Sequence, residues 1–325
     1  MHSPVRSAAV LALLGLAALA HLAHAQDAYP AKPIRLVVGF PAGGPTDVVA
    51  RAFGDFAARS LGQPVVVDNK PGANTILAAE AVASAPPDGY TLLLGALNHT
   101  MIPALYSNRV KFDALRSFAP VCSLAVSPTV LVVGPSMPVR TLPEFLAAVR
   151  AKPGERTYAT PGSGSGGHFA SEQFNRLAGT RMNHIPYKGA AQAVTDLMGG
   201  QVDMAFTNIA GAIPMMKNPK LRVIAVSTLK RSSAIPEVPA VSETVAGYDL
   251  NAWWGLMAPA GTPKPVVDRL QQEIAKVMRA RDMEQRLREM GLEVEASTPE
   301  QFAAVVRGDM VKWAAIVKSR NIKLN

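Results

Sequence analysis

The order of apolar runs and amphipathic segments is the strongest constraint on the fold. The apolar run IRLVVGF at 34–40 predicts a buried strand, and the segment after it carries apolar residues at helical spacing. Further strands are predicted at 64–69 and 91–96, with a helix between them. Strands that alternate with helices can lie parallel in one sheet. The first third of the chain therefore predicts an α/β unit with helices on both faces of a parallel sheet.

A second α/β series begins near Pro128. Strands are predicted at 129–135 and 156–160, helices at 141–154 and 168–179, and more strands up to about residue 228. The chain then forms a strand around Trp253 and ends in two helices, at about 263–290 and 299–319. We expect two lobes joined by crossing strands, with a ligand cleft between them. Lobe 1 comprises residues 26–125 plus 250–325, and lobe 2 comprises residues 126–249.

The first residues predict export. Arg6 precedes an almost wholly apolar stretch at 8–20, and the small residues of Ala23-His24-Ala25 predict cleavage before Gln26. Residues 1–25 are thus predicted to be a signal peptide and the mature protein to be periplasmic, with a retained membrane anchor as the alternative. The single cysteine, Cys122, lies in an apolar run and is predicted to be a buried structural thiol.

The net charge of +9 is compatible with several kinds of anionic partner. Lysine and arginine are dispersed, aromatic residues are only 6% of the chain, and no basic stripe with interleaved aromatics occurs. This pattern argues against nucleic acid as a partner. A small anionic ligand fits the charge better.

The glycine-rich stretch at 160–168 follows a strand and precedes a helix. A phosphate-binding P-loop requires lysine and serine or threonine where the chain has His168 and Phe169. A nucleophile elbow requires glycine two residues on each side of the serine, and neither Ser163 nor Ser165 has it. Nucleoside triphosphate binding and serine hydrolysis therefore lose their best signatures.

The same stretch does match G-x-G-x-x-G, the dinucleotide-binding pattern. The acidic residue that this pattern needs after the next strand is missing, because Tyr187 and Lys188 stand there. We therefore predict no cofactor. What remains is an anion site made by backbone N–H groups, hydroxyls and the helix N-terminus, for which a carboxylate is suited. A merely flexible strand–helix connection is the alternative.

A second strand–glycine–helix junction lies at 39–47. The strand ends at Phe40, Gly43 and Gly44 allow close backbone approach, and a helix opens near Asp47. Asp47 either caps this helix or contacts ligand. Two such junctions in separate lobes are more informative than either one alone.

Several segments together resemble one family. They are YPAKPIRLVVGFPAGGPTDVVAR, VVVDNKPGAN, PPDGYTLLLG, FAPV, GSGSGGHFASEQF, IPYKG and MGGQVDMAFTN. In this order they are similar to the Bug-type solute receptors of tripartite tricarboxylate transporters, across essentially the whole mature chain. The resemblance implies the type II periplasmic-binding-protein architecture, a small organic acid as ligand, and delivery to a permease with one large and one small integral subunit. It also implies a ligand carboxylate held between the two glycine-rich loops.

The resemblance also implies the site residues. They are Phe40, Ala42, Gly43, Gly44 and Asp47 in the first loop, Thr160, Ser163, Gly164, Ser165 and His168 in the second, and Asn98, His99, Tyr187, Lys188, Thr207 and Asn208 around the cleft. His168 either contacts ligand or only starts a helix, and Lys188 either pairs with a second carboxylate or is solvated. Many relatives have an aspartate where this chain has Thr207, which weakens an amino-acid ligand.

We therefore expect a monomeric, non-enzymatic binding protein whose lobes close over an anion. No strong triad, metal cluster or paired-carboxylate signature occurs in the sequence. One alternative is an exported enzyme for carboxylic acids that uses Ser165 or His168 with Asp47. The other is a receptor that feeds a sensor protein. The sequence does not identify the acid.

Overall fold

The computed structural model describes residues 29–43, 45–106, 110–187, 190–232 and 234–320. The predicted signal peptide and its cleavage site lie outside the described residues, as do Gly44 and Lys188. Across the described ranges, no helix combines the length and apolar character needed to cross a membrane.

A parallel three-stranded unit forms the first part of the sheet. Strand β1 (Ile34–Val38) lies between β2 (Val65–Asn69) and β3 (Thr91–Ala96). Helix α1 (Pro45–Leu61) connects β1 to β2, and α2 (Ile76–Ala83) connects β2 to β3. Four of the five residues of β1 are buried, because helices cover the sheet. The predicted α/β unit is confirmed here.

Two long strands join the halves of the sheet. Strand β4 (Phe118–Val133) pairs antiparallel with β9 (Asn251–Pro259) up to Pro128, and β9 also pairs with β3. The rest of β4 pairs with strands of the other half. The predicted strand at 129–135 was wrong at its start, because β4 passes through Pro120 and Pro128, residues that ordinarily end a strand prediction.

The second half of the sheet is again α/β. Its strands are β5 (Thr157–Thr160), β6 (Asn183–Pro186), β7 (Met204–Asn208) and β8 (Arg222–Val226). Strand β5 lies parallel to both β6 and β7, while β7 and β8 pair antiparallel with β4. The helices are α3 (Ile102–Tyr106) in the first half and α4 (Leu142–Ala151), α5 (Gly166–Ala178), α6 (Ala190–Gly199) and α7 (Ile209–Met216) in the second.

The C-terminal segment returns to the first half and covers the crossing strands. It comprises α8 (Lys264–Met278), α9 (Arg281–Glu289), β10 (Glu293–Val294) and α10 (Pro299–Arg320). The single helix predicted at 263–290 was wrong, because Ala280 is extended (ψ 135°) and separates α8 from α9. Phe302 of α10 packs against Gly255 of β9 so closely that a Cβ there would lie 2.2 Å from its ring.

Helix α10 contacts both halves of the molecule. Trp313 donates from Nε1 to Oγ1 of Thr100 over 3.1 Å, and its ring packs edge-on against Phe169 of α5, with ring centroids 5.1 Å apart. The largest apolar core accordingly includes buried residues from both halves. Helix α10 therefore covers the crossing strands and packs against both halves of the sheet.

Candidate functional site

Loop 1, defined as residues 39–47, is fixed by a bond across four residues. Gly43 has a φ of +80°, a left-handed conformation that favours glycine. Its N–H donates to Oδ2 of Asp47 over 2.8 Å. The side chain of Asp47, in the first turn of α1, thus reaches back and holds the loop, much as an acidic residue does in a capping box.

Asp47 also accepts two side-chain bonds. Nε of Arg51 donates to Oδ2 over 2.8 Å, and Nδ2 of Asn69 donates to Oδ1 over 2.9 Å. The Arg51 hydrogen bond, opposed by burial and assisted by the Gly43 N–H, lowers the pKa of Asp47 to about 2. Asp47 is therefore an ionised carboxylate at neutral pH, only 2% exposed, whose contacts serve the loop.

Loop 2, defined as residues 160–168, repeats the same arrangement. Gly164 has a φ of +78°, and its N–H donates to Nδ1 of His168 over 3.1 Å. The N–H of His168 donates in turn to Oγ of Ser165, the N-cap of α5, over 3.3 Å. Because Nδ1 accepts a bond, this geometry assigns the ring proton of neutral His168 to Nε2.

Stacked aromatic rings pack against loop 2. The rings of His168 and His184 are 4.0 Å apart and 11° from parallel, and the Tyr158 ring stacks with His184 at 5.0 Å and with His168 at 6.3 Å. Oγ1 of Thr160 lies 2.6 Å from Nε2 of His184, and the Tyr158 hydroxyl donates to Glu172 over 2.5 Å. Burial lowers the pKa of His168. The pKa of His184 is lowered to about 4, mainly by burial and secondly by the neighbouring His168.

These bonds revise how the loops could hold an anion. The N–H groups of Gly43 and Gly164 point inward to Asp47 and His168, so neither is a free donor. The first N–H groups of a helix have no partner within the helix. At the start of α5 the unpaired N–H groups are those of Gly166 and Gly167, because the N–H of His168 already donates to the N-cap residue Ser165. The N-terminus of α5 is therefore the donor end of loop 2.

A cavity of about 470 Å³ lies between loop 1 and the end of β7. We call it the cleft cavity. It is lined by Gly43, Val48, Val49, Ser127, Ala190, Thr207, Asn208, Trp254, Met290 and Leu292. Of the predicted site residues the structure thus brings Gly43, Thr207 and Asn208 together around one space.

Loop 2 packs against β7, although none of its residues is in the described lining of the cleft cavity. Gly167 lies so close to the β7 backbone that a Cβ there would be 2.9 Å from the carbonyl oxygen of Phe206. Phe206 directly precedes Thr207, which lines the cleft cavity. The start of α5 and the end of β7 are therefore adjacent, and a glycine at 167 permits this contact.

The remaining loop residues have simpler placements. Phe40 is half-buried, and its carbonyl oxygen accepts from Asn69 over 3.0 Å. Ala42 and Ser163 are exposed. Tyr187 donates from its backbone N–H to Thr160 over 2.9 Å and from its hydroxyl to Asp196 over 2.8 Å. Tyr187 thus anchors β6 to loop 2 and α6.

The prediction that His99 lines the cleft was wrong. Its side chain is 1% exposed and packs between the rings of Phe112 and Phe118. Its Nε2 lies 2.8 Å from the carbonyl oxygen of Ala114, and burial lowers its pKa to about 4. His99 is therefore a neutral core residue. Its neighbour Asn98 is half-buried and ties β3 to another loop.

That other loop was missed from the sequence. Ala73, Asn74 and Thr75 are consecutive non-glycine residues with φ of 46°, 51° and 73°. Each left-handed residue costs roughly 1–2 kcal/mol. Nδ2 of Asn98 donates to Oγ1 of Thr75 over 3.1 Å and to Asn74, and a Cβ at Gly39 would lie 2.5 Å from Thr75. Loop 1 is therefore braced by this strained turn.

The cavity walls contributed by the C-terminal segment were also missed. Met290 and Leu292 follow α9, about 250 residues after loop 1 in the chain but beside it in space. Trp254, which is 5% exposed on the crossing strand β9, lines the same cavity. No local pattern indicates such long-range neighbours.

This architecture defines the class of protein. A mixed α/β fold with two sheet halves joined by long crossing strands, and glycine-rich turns at the strand ends, is also that of solved periplasmic solute-binding proteins. The chain belongs to the tripartite tricarboxylate transporter receptor family, whose model matches residues 49–322. The predicted fold class and the resemblance to Bug-type receptors are thereby confirmed.

Individual relatives cover nearly the whole chain. BugT of Bordetella pertussis is 33% identical over 298 residues, which is 90% of this chain and 91% of BugT. The structure of Rhodopseudomonas palustris Rpa4515 with adipate has a TM-score of 0.77 at 31% identity and covers 91% of this chain and 99% of that one. MatC from the same organism, with bound malate, has a TM-score of 0.73 at 32% identity, covering 89% and 100%.

Proposed function

We propose that the protein is a periplasmic receptor that captures a small organic acid and delivers it to a tripartite transporter permease. The observation that carries the proposal is the pair of loops in which Gly43 bonds Asp47 and Gly164 bonds His168. Each bond rigidifies a glycine-rich turn at a helix start, which is where an anion is best received. Two structural relatives hold adipate and malate, both of which are carboxylates.

The donors for the carboxylate come from the start of α5. Gly166 and Gly167 offer N–H groups at the positive end of a 13-residue helix. In the cleft cavity, Thr207 and Asn208 offer a hydroxyl and an amide that make no hydrogen bond within the described part of the chain. A carboxylate oxygen accepts from either kind of group.

We propose that the two sheet halves act as the lobes, 26–125 plus 250–325 and 126–249. The crossing strands β4 and β9 then contain the hinge, and ligand shifts an equilibrium between open and closed arrangements. Residues 1–25 act as the signal peptide, with cleavage before Gln26, and the mature protein is a monomer. The large and small permease subunits are proposed as partners because the family is described as the receptor of a tripartite transporter.

We propose a receptor rather than an enzyme because the candidate catalytic groups are engaged in structural bonds. Oγ of Ser165 accepts from the backbone of His168, not from its ring. Nδ1 of His168 accepts from Gly164, and Asp47 is held by Arg51 and Asn69. A nucleophile and its base must share a hydrogen bond, and these bonds do not provide one.

A thermal-shift panel of organic acids, run with product analysis, tests this proposal. A carboxylate at a hundredfold excess over its dissociation constant adds about 3 kcal/mol to the free energy of unfolding and raises Tm. We expect at least one acid to raise Tm without being consumed. Consumption of the acid would favour the enzyme alternative. No shift with any carboxylate would contradict the receptor.

A further inference from the structure

We propose that the ligand is a monocarboxylate with an apolar body, aliphatic or aromatic, rather than a dicarboxylate or tricarboxylate. This inference rests on the proposed function and specifies its substrate class. The juxtaposition that carries it is an apolar wall formed by Val48, Trp254, Met290 and Leu292, which line the same cavity as Thr207 and Asn208 at the end of β7.

The apolar wall comes from three separate elements. Val48 lies in the first turn of α1, directly after Asp47, and is 37% exposed. Trp254 lies on the crossing strand β9, and Met290 and Leu292 follow α9. Their convergence creates carbon surface that water solvates poorly. Apolar ligand atoms that cover this surface are stabilised there, because the contact removes apolar area from water.

The polar atoms of Trp254 and Ser127, beside the apolar wall, already form hydrogen bonds within the protein. Nε1 of Trp254 donates to Oγ1 of Thr46 over 3.0 Å, so its one donor is not available to ligand. The hydroxyl of Ser127 lies 3.3 Å from the carbonyl oxygens of Pro128 and Gly291. Trp254 and Ser127 therefore offer the cavity carbon atoms and no free donor.

The described part of the lining contains no charged side chain. Asp47 and Arg51 lie on the same helix as Val48 but bind each other. A second ligand carboxylate placed against Val48, Trp254, Met290 and Leu292 would lose its hydration, and none of these four side chains could replace it with a charge or a hydrogen bond. Thr207 and Asn208 are the lining groups with uncommitted polar atoms, enough for one carboxylate or one neutral polar group.

The cavity is also large enough for such a body. A cavity of about 150 Å³ lined by apolar side chains holds benzene. The cleft cavity is about 470 Å³, so a ring or a branched chain fits together with a carboxylate and ordered water. A compact polar acid such as malate would leave the apolar wall uncovered.

Matched acids test the class directly. Hexanoate and adipate share a six-carbon chain and differ by one terminal carboxylate, and benzoate and malate contrast an apolar with a polar body. We expect calorimetric titration of the mature protein to give dissociation constants at least tenfold lower for hexanoate than adipate, and for benzoate than malate. Tighter adipate or malate would overturn the inference and leave the receptor function standing. No binding by any of the four, nor by citrate, would overturn both.

A pair of isosteric variants locates the wall. Val48→Thr replaces a methyl group by a hydroxyl within the cleft cavity, while Val311→Thr makes the same change on α10, where Val311 is 69% exposed and outside that cavity. We expect Val48→Thr to weaken benzoate or hexanoate about fourfold, the value of one buried methyl group. Val311→Thr should leave affinity unchanged. Equal affinities for the two variants would contradict the assigned wall.

Discussion

The N–H of Gly164 donates to Nδ1 of His168, and the N–H of Gly43 donates to Oδ2 of Asp47, in each case across four residues. Both glycines are left-handed, with φ of +78° and +80°. One loop is thus locked by an imidazole and the other by a carboxylate. The two side chains bond the backbone of their own loops, and we expect them to influence ligand binding through loop geometry.

We expect the imidazole of His168 to make ligand affinity sensitive to acid. Burial lowers the pKa of His168, so the ring is neutral at pH 7 and its Nδ1 can accept. Protonation places a hydrogen on Nδ1 and abolishes the Gly164 bond. Glu172, His184 and Tyr158 are the titratable groups around the ring. We expect affinity for the tightest-binding acid to fall as the pH decreases from 7 to 5, measured by calorimetry.

His168→Asn is the control for this prediction. The amide oxygen of asparagine can accept from Gly164 but does not titrate. We expect the variant to bind with an affinity that changes less between pH 7 and pH 5. If the variant and the wild type lose affinity in parallel, the pH dependence arises elsewhere.

Acid should also destabilise the fold. The pKa of His99 and that of His184 are each lowered to about 4, so the unfolded chain binds protons between roughly pH 6.5 and pH 4 that the folded protein does not. The free energy of unfolding therefore decreases as the pH falls through this window. Urea denaturation at pH 7 and pH 4.5 measures it. A midpoint that is unchanged, or higher at pH 4.5, would contradict the buried neutral histidines.

Two matched glycine substitutions distinguish the role of Gly43 in ligand binding from the backbone strain that any side chain at positive φ causes. Gly43→Val and Gly62→Val both place a β-branched side chain at positive φ, 80° and 68°, where no atom lies within 4 Å of the new Cβ. Each should cost about 1–2 kcal/mol of stability. Only Gly43 lines the cleft cavity, so we expect only Gly43→Val to abolish acid binding. Normal affinity in Gly43→Val would remove loop 1 from the site.

Replacing Asp47 should reduce stability and acid binding more than replacing an exposed aspartate that also pairs with a basic residue. Asp47→Ala removes the acceptor of Gly43, Arg51 and Asn69, and we expect a loss of about 2 kcal/mol together with weaker acid binding. Asp268→Ala also removes a pair at i,i+4 spacing, but its side chain is 40% exposed. Urea midpoints and calorimetry compare them. Equal effects of the two changes would show that Asp47 does not organise loop 1.

Thr207 should influence which acids are accepted. Thr207→Asp places a carboxylate in the cleft cavity, which repels an anionic ligand and can pair with an ammonium group. We expect affinity for simple acids to fall by more than tenfold while amino acids gain relative to them. Thr244→Asp, at an exposed position, controls for the added charge. Unchanged preference in Thr207→Asp would refute this role.

Local patterns predicted much of the fold. The strand at 91–96 matches β3 at both ends, because its apolar run is bounded by a turn and a polar segment. The long strand β4 was predicted only in part, because it contains Pro128 and also Pro120, which lies beside a register shift that no local pattern shows. The break between α8 and α9 at Ala280 was not predicted, because no glycine or proline marks it in the sequence.

The site was predicted less completely than the fold. Glycine spacing indicated both loops, but not that Asp47 and His168 would bond the glycines' own N–H groups. His99 looked like a strand-end ligand, whereas its contacts with Phe112 and Phe118 come from residues further along the chain. Met290 and Leu292 reach the cleft cavity through tertiary packing, which periodicity does not encode.

The central claim is that the two glycine-rich loops, on opposite sheet halves, hold one carboxylate together. A crystal structure of the mature protein with its tightest-binding acid tests this most directly. We predict ligand carboxylate oxygens within hydrogen-bond distance, directly or through one water, of residues 40–43 on one side and of Gly166 or Gly167 on the other. A carboxylate bound by one loop alone, or outside the cleft cavity, would contradict the account.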